Sequence, residues 1–243
     1  MTPTFSILHA TYGRPAQAVA MMKLWHARSR DRERIEYLFA VNNDDPTKQE
    51  LMERIGDEDV LFSRVLLVQG DFIGSAAAWN QAAMLHSTGD LLIQAQDDVE
   101  PPEDWSTRLL EVLWVNSPTD RWQDDSIVVA VSDGYRKDKL LCTAICTRKR
   151  MEAQGCFLYP EYISVFSDDE FTYLALRDAR DGKVKLINAR NLVFRHHHHY
   201  HNKAVPFDAT YARENSAKAY GVGANLFYQR NPEALKDGIV TWR

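Results

Sequence analysis

The sequence has 243 residues, of which 45% are hydrophobic and 26% are charged, and its formal net charge is −5. The length allows one large domain, and the composition excludes a disordered chain, a collagen-like repeat and a small disulfide-rich scaffold. Because the net charge is negative, attraction of the whole molecule to nucleic acid is excluded as well.

Short apolar runs alternate along the chain with stretches of helical periodicity, which is typical of an α/β sheet with crossover helices. Pro15 suits the first turn of a helix that follows the first strand, and Ser75 is the predicted N-cap of a second helix. The strands predicted in this half of the chain are residues 5–10, 37–41, 64–68 and 91–96.

The second half of the chain is richer in strands. Ser167 and Glu170 have the spacing of a capping box, which predicts a helix that starts there and ends near Gly182. The tail, residues 202–243, is interpreted as an extension that packs on the same domain. The strands predicted between residue 127 and the tail are residues 127–132, 140–147, 183–187 and 192–199.

Two adjacent carboxylates, Asp97 and Asp98, follow the fourth predicted strand and precede a pair of prolines. Open α/β sheets bind ligands in the crevice at the carboxyl ends of their strands, so both side chains are expected in such a crevice. Mg²⁺ and Mn²⁺ are typically held by one or two carboxylates together with substrate phosphates, which indicates a nucleotide diphosphate as the partner. The alternative is that these aspartates only form a turn or cap the following helix.

The segment from Gly70 to Trp105 carries Gly74 and Asn80. It also carries a run that starts at Gln96, continues through two aspartates into a proline-containing turn and ends at the tryptophan. This pattern resembles the core of family 2 glycosyltransferases of the GT-A fold, in which a strand ends in a DxD-type acidic motif. Residues 6–15 and 39–45 are similar to that family's first strand, with its nucleotide-contacting turn, and to its second strand. The resemblance extends over most of residues 4–201.

The resemblance implies a Rossmann-like GT-A domain over residues 1–201, with a mixed, mostly parallel sheet flanked by helices. Residues 1–130 would hold the nucleotide-sugar, and residues 131–201 would build the acceptor and catalytic half. The implied reaction is inverting transfer of a sugar from a nucleotide-diphosphate sugar, most simply a UDP-sugar, to an acceptor hydroxyl. The resemblance assigns donor binding to Thr11, Tyr12, Arg14, Asn42, Asp44, Gly74, Asn80, Gln96 and Asp97.

Three positions depart from the family pattern. Gln96 stands at the first acidic position of the DxD motif, so the metal would be held mainly by Asp98, with help from Asp97. Trp79 stands where many relatives have a basic residue, and Asn42 stands where the family commonly has the uracil-binding aspartate. Asp44 is then the substitute for base binding.

Five histidines lie within residues 196–201. Alternate residues of a strand share one face, so His196 and His198 would point together into the site, where an imidazole can bind a metal. Family 2 relatives often show F-x-H-x-H at this place, with a histidine completing the metal site. The resemblance therefore adds His196 and His198 to Asp98 as ligands of Mn²⁺ or Mg²⁺, whereas the alternative is that these are surface histidines.

An acidic run, Asp168, Asp169 and Glu170, opens the helix predicted after Ser167. An inverting transferase needs a carboxylate that removes the proton of the acceptor hydroxyl, and the family keeps an acidic pair here. By resemblance Asp169 is the expected base, and Asp168 or Glu170 are the fallbacks. The alternative is structural, because acidic residues in a first helical turn complement the helix dipole.

Two other functions stay open. A nucleotidyltransferase shares the nucleotide-binding half and an acidic metal site, and a non-catalytic sugar- or metal-binding module would share the scaffold. The acceptor is open among a sugar, a lipid, a protein and a modified nucleic-acid base, and so is the oligomeric state. Because the three cysteines form no CxxC pair, no apolar run approaches ~20 residues and the N-terminus lacks a signal-peptide pattern, the sequence predicts a cytoplasmic protein.

Overall fold

A mixed β-sheet lies at the centre of the computed structural model, which describes residues 3–56, 62–117, 121–203, 205 and 207–240. Within these residues the main sheet has seven strands. They are β1 (Phe5–Thr11), β2 (Ile35–Asn42), β3 (Arg64–Gly70), β4 (Leu91–Ala95), β6 (Ile127–Ser132), β7 (Ile145–Thr147) and β8 (Lys185–Val193). Their order across the sheet is β3-β2-β1-β4-β7-β6-β8. A small second sheet pairs β5 (Val99–Glu100) with β9 (Arg195–His196).

The direction of the strands decides where a ligand can bind. β1 pairs in parallel with β2 and β4, β2 with β3, and β6 with β8, whereas β7 runs antiparallel to both β4 and β6. The parallel strands therefore end at one edge of the sheet. This edge is the place where open α/β sheets bind ligands. The predicted mixed, mostly parallel sheet with flanking helices is confirmed.

Helices cover both faces of the sheet, and local chemistry starts several of them. They are α1 (Pro15–Ala27), α2 (Lys48–Gly56), α3 (Ser75–Gln81), α4 (Trp105–Asn116), α5 (Arg148–Gln154), α6 (Ser167–Arg180), α7 (Ala209–Glu214) and α8 (Ala217–Arg230). Pro15 occupies the first turn of α1, as predicted. The side chains of Asp208 and Ser216 cap α7 and α8 by accepting hydrogen bonds from backbone N–H groups.

Two hydrophobic clusters cover the two faces. Ile7 belongs to the cluster that includes Trp25 and Trp105 from α1 and α4. Its neighbour Leu8 belongs to the cluster with Trp79 of α3 and Phe227 of α8. Successive residues of a strand point to opposite faces, so β1 contributes to both cores and is buried on both sides.

The strand boundaries differ from the prediction in the second half. Only Ile145–Thr147 of predicted strand 140–147 joins the sheet, because Leu141 and Ala144 donate their backbone N–H groups to the side chains of Thr172 and Gln94 instead. The predicted strands 183–187 and 192–199 are also wrong in their bounds. β8 is one continuous strand beside β6, after which the chain leaves the main sheet and pairs with β5.

The start of α6 is not the predicted capping box. Phe166, in the left-handed conformation with φ of 75°, occupies the N-cap position. The Ser167 hydroxyl donates to the carbonyl of Ser164, and Glu170 binds side chains elsewhere. Ser75 is likewise the first residue of α3, whose N-cap is Gly74.

The tail contains α7 and α8, which the sequence analysis did not predict as helices. Phe227 of α8 is buried in the second cluster, and Arg230 of α8 pairs with Glu170 of α6. Residues 241–243, which end the predicted extension, lie outside the described residues. Across the part of the chain that the structure describes, no helix is long and apolar enough to cross a membrane.

Candidate active site

A cavity of about 600 Å³ opens at the carboxyl ends of β1, β2 and β4. Its volume falls within the range of pockets that hold small ligands. Most of the predicted site residues line it, on segments that the parallel strands bring to the same edge. These residues are Thr11, Tyr12, Arg14, Asn42, Asp44, Gly74, Gln96, Asp97, Asp98, Asp168, His196 and His198.

Asp98 and His196 meet in this cavity. The Asp98 Oδ1 atom lies 3.5 Å from the His196 Nε2 atom. The small sheet makes this approach possible, because it pairs Val99 with His196 and the His197 N–H donates to the carbonyl of Asp98. The rings of His196 and His198 lie 5.0 Å apart, although His198 follows the end of β9.

The electrostatics of these groups are coupled. Burial opposes charge on Asp98, but the nearby His196, with Arg14 and His198, keeps the pKa of Asp98 below its usual value. Burial likewise disfavours the charged form of His196, but Asp98 raises the pKa of His196 above its usual value. Burial and the neighbouring His196 lower the pKa of His198 to about 4, so His198 is neutral near pH 7. A neutral imidazole is the form that binds a metal.

The donor atoms fit a divalent metal that is also bound by a substrate. Among the described residues, no group of three or more histidine, cysteine, aspartate or glutamate side chains is arranged to hold a metal by itself. Asp98 and His196 supply one carboxylate and one imidazole side by side. Mg²⁺ commonly takes one or two carboxylates and completes its shell with substrate phosphates and water. One carboxylate and one imidazole therefore fit the protein part of such a shell.

Asp97 is anchored differently from Asp98. Its Oδ1 atom lies 2.9 Å from Nε2 of His9, and Nδ1 of His9 lies 2.6 Å from the hydroxyl of Tyr37. Its Oδ2 atom is 3.9 Å from a guanidinium nitrogen of Arg14. Arg14 itself makes two hydrogen bonds, of 2.7 and 2.5 Å, to Asp208 just before α7.

The start of the tail covers the turn after β1. The guanidinium of Arg213 lies 4.6 Å from the centre of the Tyr12 ring, within cation–π distance, and the Thr210 hydroxyl donates to the carbonyl of Tyr12. Arg213 and Lys218 line the cavity together with the predicted donor residues. Thr11 faces the same space, and its buried Oγ1 atom has no hydrogen-bond partner within the described residues.

Other predicted donor residues hold loops in place. The Asn42 side chain donates to the carbonyl of Phe72 and accepts from its N–H, which fixes the loop after β3. A Cβ atom on Gly74 would lie 1.9 Å from the carbonyl oxygen of Ile163, so only glycine fits there. Asn80 accepts a hydrogen bond from the Phe157 N–H and does not line the cavity.

The acidic run at the start of α6 divides between two environments. Asp168 lines the cavity. Asp169 is only 1% exposed and does not line it. Glu170 is also buried, where it binds Arg230 and accepts a hydrogen bond of 2.6 Å from Tyr162. The structure thus brings Asp168 to the cavity and keeps the other two acids of the run away from it.

Sequence reasoning missed His9, Tyr37 and Arg213. His9 and Tyr37 lie within strands that read as ordinary core segments, and a histidine among apolar residues was the one available signal. Arg213 lies in the last turn of α7, a short helix that no sequence pattern predicted. Trp79, noted as a departure, donates its ring N–H to the carbonyl of Ala95 and is a core residue.

Comparison with solved structures agrees with this architecture. The chain is similar to S. aureus TarS 1–349 in complex with UDP, with a TM-score of 0.60 and 10% identity over 79% of this chain and 59% of that one. It therefore spans less than two thirds of that protein. It is similar to the mannosyltransferase PcManGT from Pyrobaculum calidifontis in complex with GDP-Man and Mn²⁺, with a TM-score of 0.59 and 14% identity over 100% of this chain and 83% of that one.

A third similar structure is glucosyl-3-phosphoglycerate synthase from Mycobacterium tuberculosis in complex with Mn²⁺, UDP and phosphoglyceric acid. Its TM-score is 0.51, with 11% identity over 81% of this chain and 71% of that one. No protein-family model and no curated protein matches the sequence. At these identities the likeness concerns architecture. The chain has the GT-A glycosyltransferase fold.

Proposed function

We propose that this protein transfers a sugar from a nucleotide-diphosphate sugar, most simply a UDP-sugar, to an acceptor hydroxyl, with Mn²⁺ or Mg²⁺ as cofactor. The observation that carries the proposal is the meeting of Asp98 and His196, 3.5 Å apart, in a cavity at the carboxyl ends of the parallel strands. The similar structures in complex with UDP or GDP-Man, two of them with Mn²⁺, support it.

The nucleotide would occupy the part of the cavity between β1 and β2. Tyr12 and Asp44 line this part, and Asn42 shapes it by fixing the loop at Phe72. Both polar atoms of the Asn42 side chain bind the backbone of Phe72, so base recognition is assigned to Asp44. The carboxylate of Asp44 can accept a hydrogen bond from an N–H group of the base. The N-terminal half, residues 1–130, thus holds the donor, and the tail beginning near Asp208 covers it.

The diphosphate would lie beside Asp98, His196 and Arg14. Asp98 and His196 would hold the metal, with His198 next to them. The bound metal supplies charge neutralisation for the leaving nucleotide diphosphate. Arg14, whose pKa is raised because Asp208, Asp97 and Asp98 outweigh the effect of burial, adds a permanent positive charge.

Asp168, like Asp133, lines the cavity from the half of the chain, residues 131–201, that would build the acceptor site. We assign the general base to Asp168 in place of Asp169, because a base must reach the hydroxyl whose proton it accepts. The acceptor oxygen attacks the anomeric carbon, the bond to the nucleotide diphosphate breaks, and the proton passes to Asp168. One displacement of this kind inverts the anomeric configuration.

The test is release of nucleotide diphosphate from UDP-glucose, UDP-N-acetylglucosamine, UDP-galactose and GDP-mannose, measured by chromatography with Mn²⁺ and with EDTA. We expect release with Mn²⁺ and none with EDTA. Asp98→Asn should lower the rate about 100-fold, since charge stabilisation of the leaving group is lost. Asp181→Asn, which removes the same charge from the turn after α6, should stay within about twofold of the parent.

Two results would contradict the proposal. Consumption of a sugar 1-phosphate and a nucleoside triphosphate, with release of pyrophosphate, would show nucleotidyl transfer. Binding of nucleotide-sugars without release of diphosphate, even with a panel of sugar, lipid and protein acceptors, would show a binding module.

A further inference from the structure

A histidine lies fully buried in the centre of the main sheet. His9 is 0% exposed and sits in the middle of three parallel strands, opposite Phe39 of β2 and Ala95 of β4. Its ring packs at 5.0 Å from the ring of Phe39. A polar ring in such surroundings is stable only when its nitrogen atoms are hydrogen-bonded.

Both nitrogen atoms of His9 have a partner. Nε2 lies 2.9 Å from Oδ1 of Asp97, and Nδ1 lies 2.6 Å from the hydroxyl of Tyr37. An ionised carboxylate only accepts hydrogen bonds, so Nε2 carries the proton and donates to Asp97. In the neutral ring Nδ1 is then an acceptor, and the Tyr37 hydroxyl donates to it. Burial, with the nearby charge of Asp97, raises the pKa of Tyr37 well above its usual value, so the phenol keeps this proton.

These two hydrogen bonds fix the orientation of Asp97. Its side chain is 7% exposed, and its Oδ1 atom is bound by His9 of β1. Oδ2 lies on the side of Arg14, and Asp97 lines the cavity. Asp97 also immediately precedes Asp98, so a fixed Asp97 fixes the peptide that carries the candidate metal ligand.

We propose that His9 and Tyr37 are positioning residues of the donor site. They hold Asp97 so that its second carboxylate oxygen accepts a hydrogen bond from a hydroxyl group of the nucleotide-sugar. This inference rests on the proposed function, because it takes the ligand of the cavity to be a nucleotide-sugar. Neither ring lines the cavity, so both act through Asp97. The two residues come from neighbouring strands, which makes the support rigid.

The first test is Tyr37→Phe, which removes one hydroxyl from a fully buried ring and keeps its shape. We expect the Kd for UDP-glucose with Mn²⁺, measured by calorimetry, to rise about fivefold to tenfold, as is typical for loss of one hydrogen bond. KM should rise by the same factor, with little change in kcat. The matched control is Tyr173→Phe, which removes a hydroxyl that binds Glu233 and Asp237, and none of these three residues lines the cavity. It should leave Kd within about twofold of the parent.

The second test compares the Kd for UDP-glucose in the single variants Asp97→Asn and Tyr37→Phe with that in the double variant. If Tyr37 acts only through Asp97, the double variant should bind UDP-glucose no more weakly than Asp97→Asn alone. The inference would be overturned if the increase in Kd of the double variant equalled the product of the increases in the two single variants. So would unchanged binding in Tyr37→Phe.

A third measurement is independent of donor binding. Nitrogen-15 NMR of histidine side chains should show one Nε2–H tautomer protected from solvent exchange in the parent, and this signal should shift or disappear in Asp97→Asn. A His9 signal of the other tautomer would overturn the inference. Failure of the parent to bind any nucleotide-sugar would contradict the proposed function and, with it, the donor role of Asp97, whereas the NMR result tests the hydrogen-bonded chain by itself.

Discussion

Asp98 and His196 lie side by side because the small sheet places Val99 directly opposite His196. The acid follows β4 of the main sheet, and the imidazole comes from the chain after β8. His197 points elsewhere and binds Glu100 at 2.7 Å. Adjacent histidines thus have different partners, and substitutions can separate their effects.

Replacement of His196 should weaken metal-dependent binding of the nucleotide. We expect His196→Ala to raise the Kd for UDP with Mn²⁺ at least about tenfold, because the metal loses a protein ligand. His197→Ala is the control and should change this Kd less than about twofold, since neither His197 nor its partner Glu100 lines the cavity. Calorimetry with and without Mn²⁺ measures both. Equal effects of the two variants would show that His196 is not a ligand.

Replacement of Asp168 should impair turnover and leave donor binding intact. We expect Asp168→Asn to lower kcat by about 10²–10⁴-fold, the usual contribution of a general base, with the Kd for the donor unchanged. Single-turnover kinetics with a saturating donor measures this. Should Asp169→Asn abolish turnover while Asp168→Asn retains it, the base would be Asp169 and the buried end of α6 would have to open.

Glycine at position 74 should be essential for the packing of two loops beside the cavity. A methyl group there would collide with the backbone of Ile163, so Gly74→Ala should lower the free energy of unfolding by about 2 kcal/mol or more. Gly56 ends α2 with nothing within 4 Å of its added Cβ. Gly56→Ala should therefore be neutral or stabilise by about 0.5 kcal/mol. Urea unfolding curves compare the two, and similar curves would contradict the close approach.

The pair of Arg230 and Glu170 should stabilise the tail against α6. Glu170 is 4% exposed at its side chain, and Arg230 also lies 3.2 Å from the centre of the Tyr159 ring. We expect Arg230→Ala to lower the free energy of unfolding by about 2 kcal/mol, because it leaves a buried carboxylate without its cation. This value takes account of the partial exposure of Arg230, which weakens the pair. Thermal unfolding should show a midpoint about 4–8 °C lower. Arg180→Ala, which breaks an exposed pair with Asp181, should shift the midpoint by less than about 2 °C.

The sequence predicted the parts of the fold that depend on local periodicity. β1, β2, β3 and β4 lie within two residues of their predicted bounds, because each is a short apolar run that ends in polar residues. The prediction that His196 and His198 lie close together agrees with their ring distance of 5.0 Å. Their role as ligands stays a prediction.

Other features depend on contacts between distant segments. The partner of Glu170 is Arg230 and the partner of His9 is Asp97, and no local pattern indicates either pair. The capping box failed for the same reason, since the contact of the buried Glu170 with Arg230 outweighs a local bond to the backbone. Which acid of the run faces the cavity is set by the rotation of α6, and the packing of Phe171 and Tyr173 in the core decides that rotation.

The pairing of β5 with β9 also bears on how the molecule is made. During synthesis Asp98 emerges before His196, and a domain generally folds as one unit. A nascent chain that ends after β4 lacks both the imidazole of His196 and β9, the strand that pairs with β5. The pair of Asp98 and His196 can therefore form only after the later segment has been translated and has joined β5.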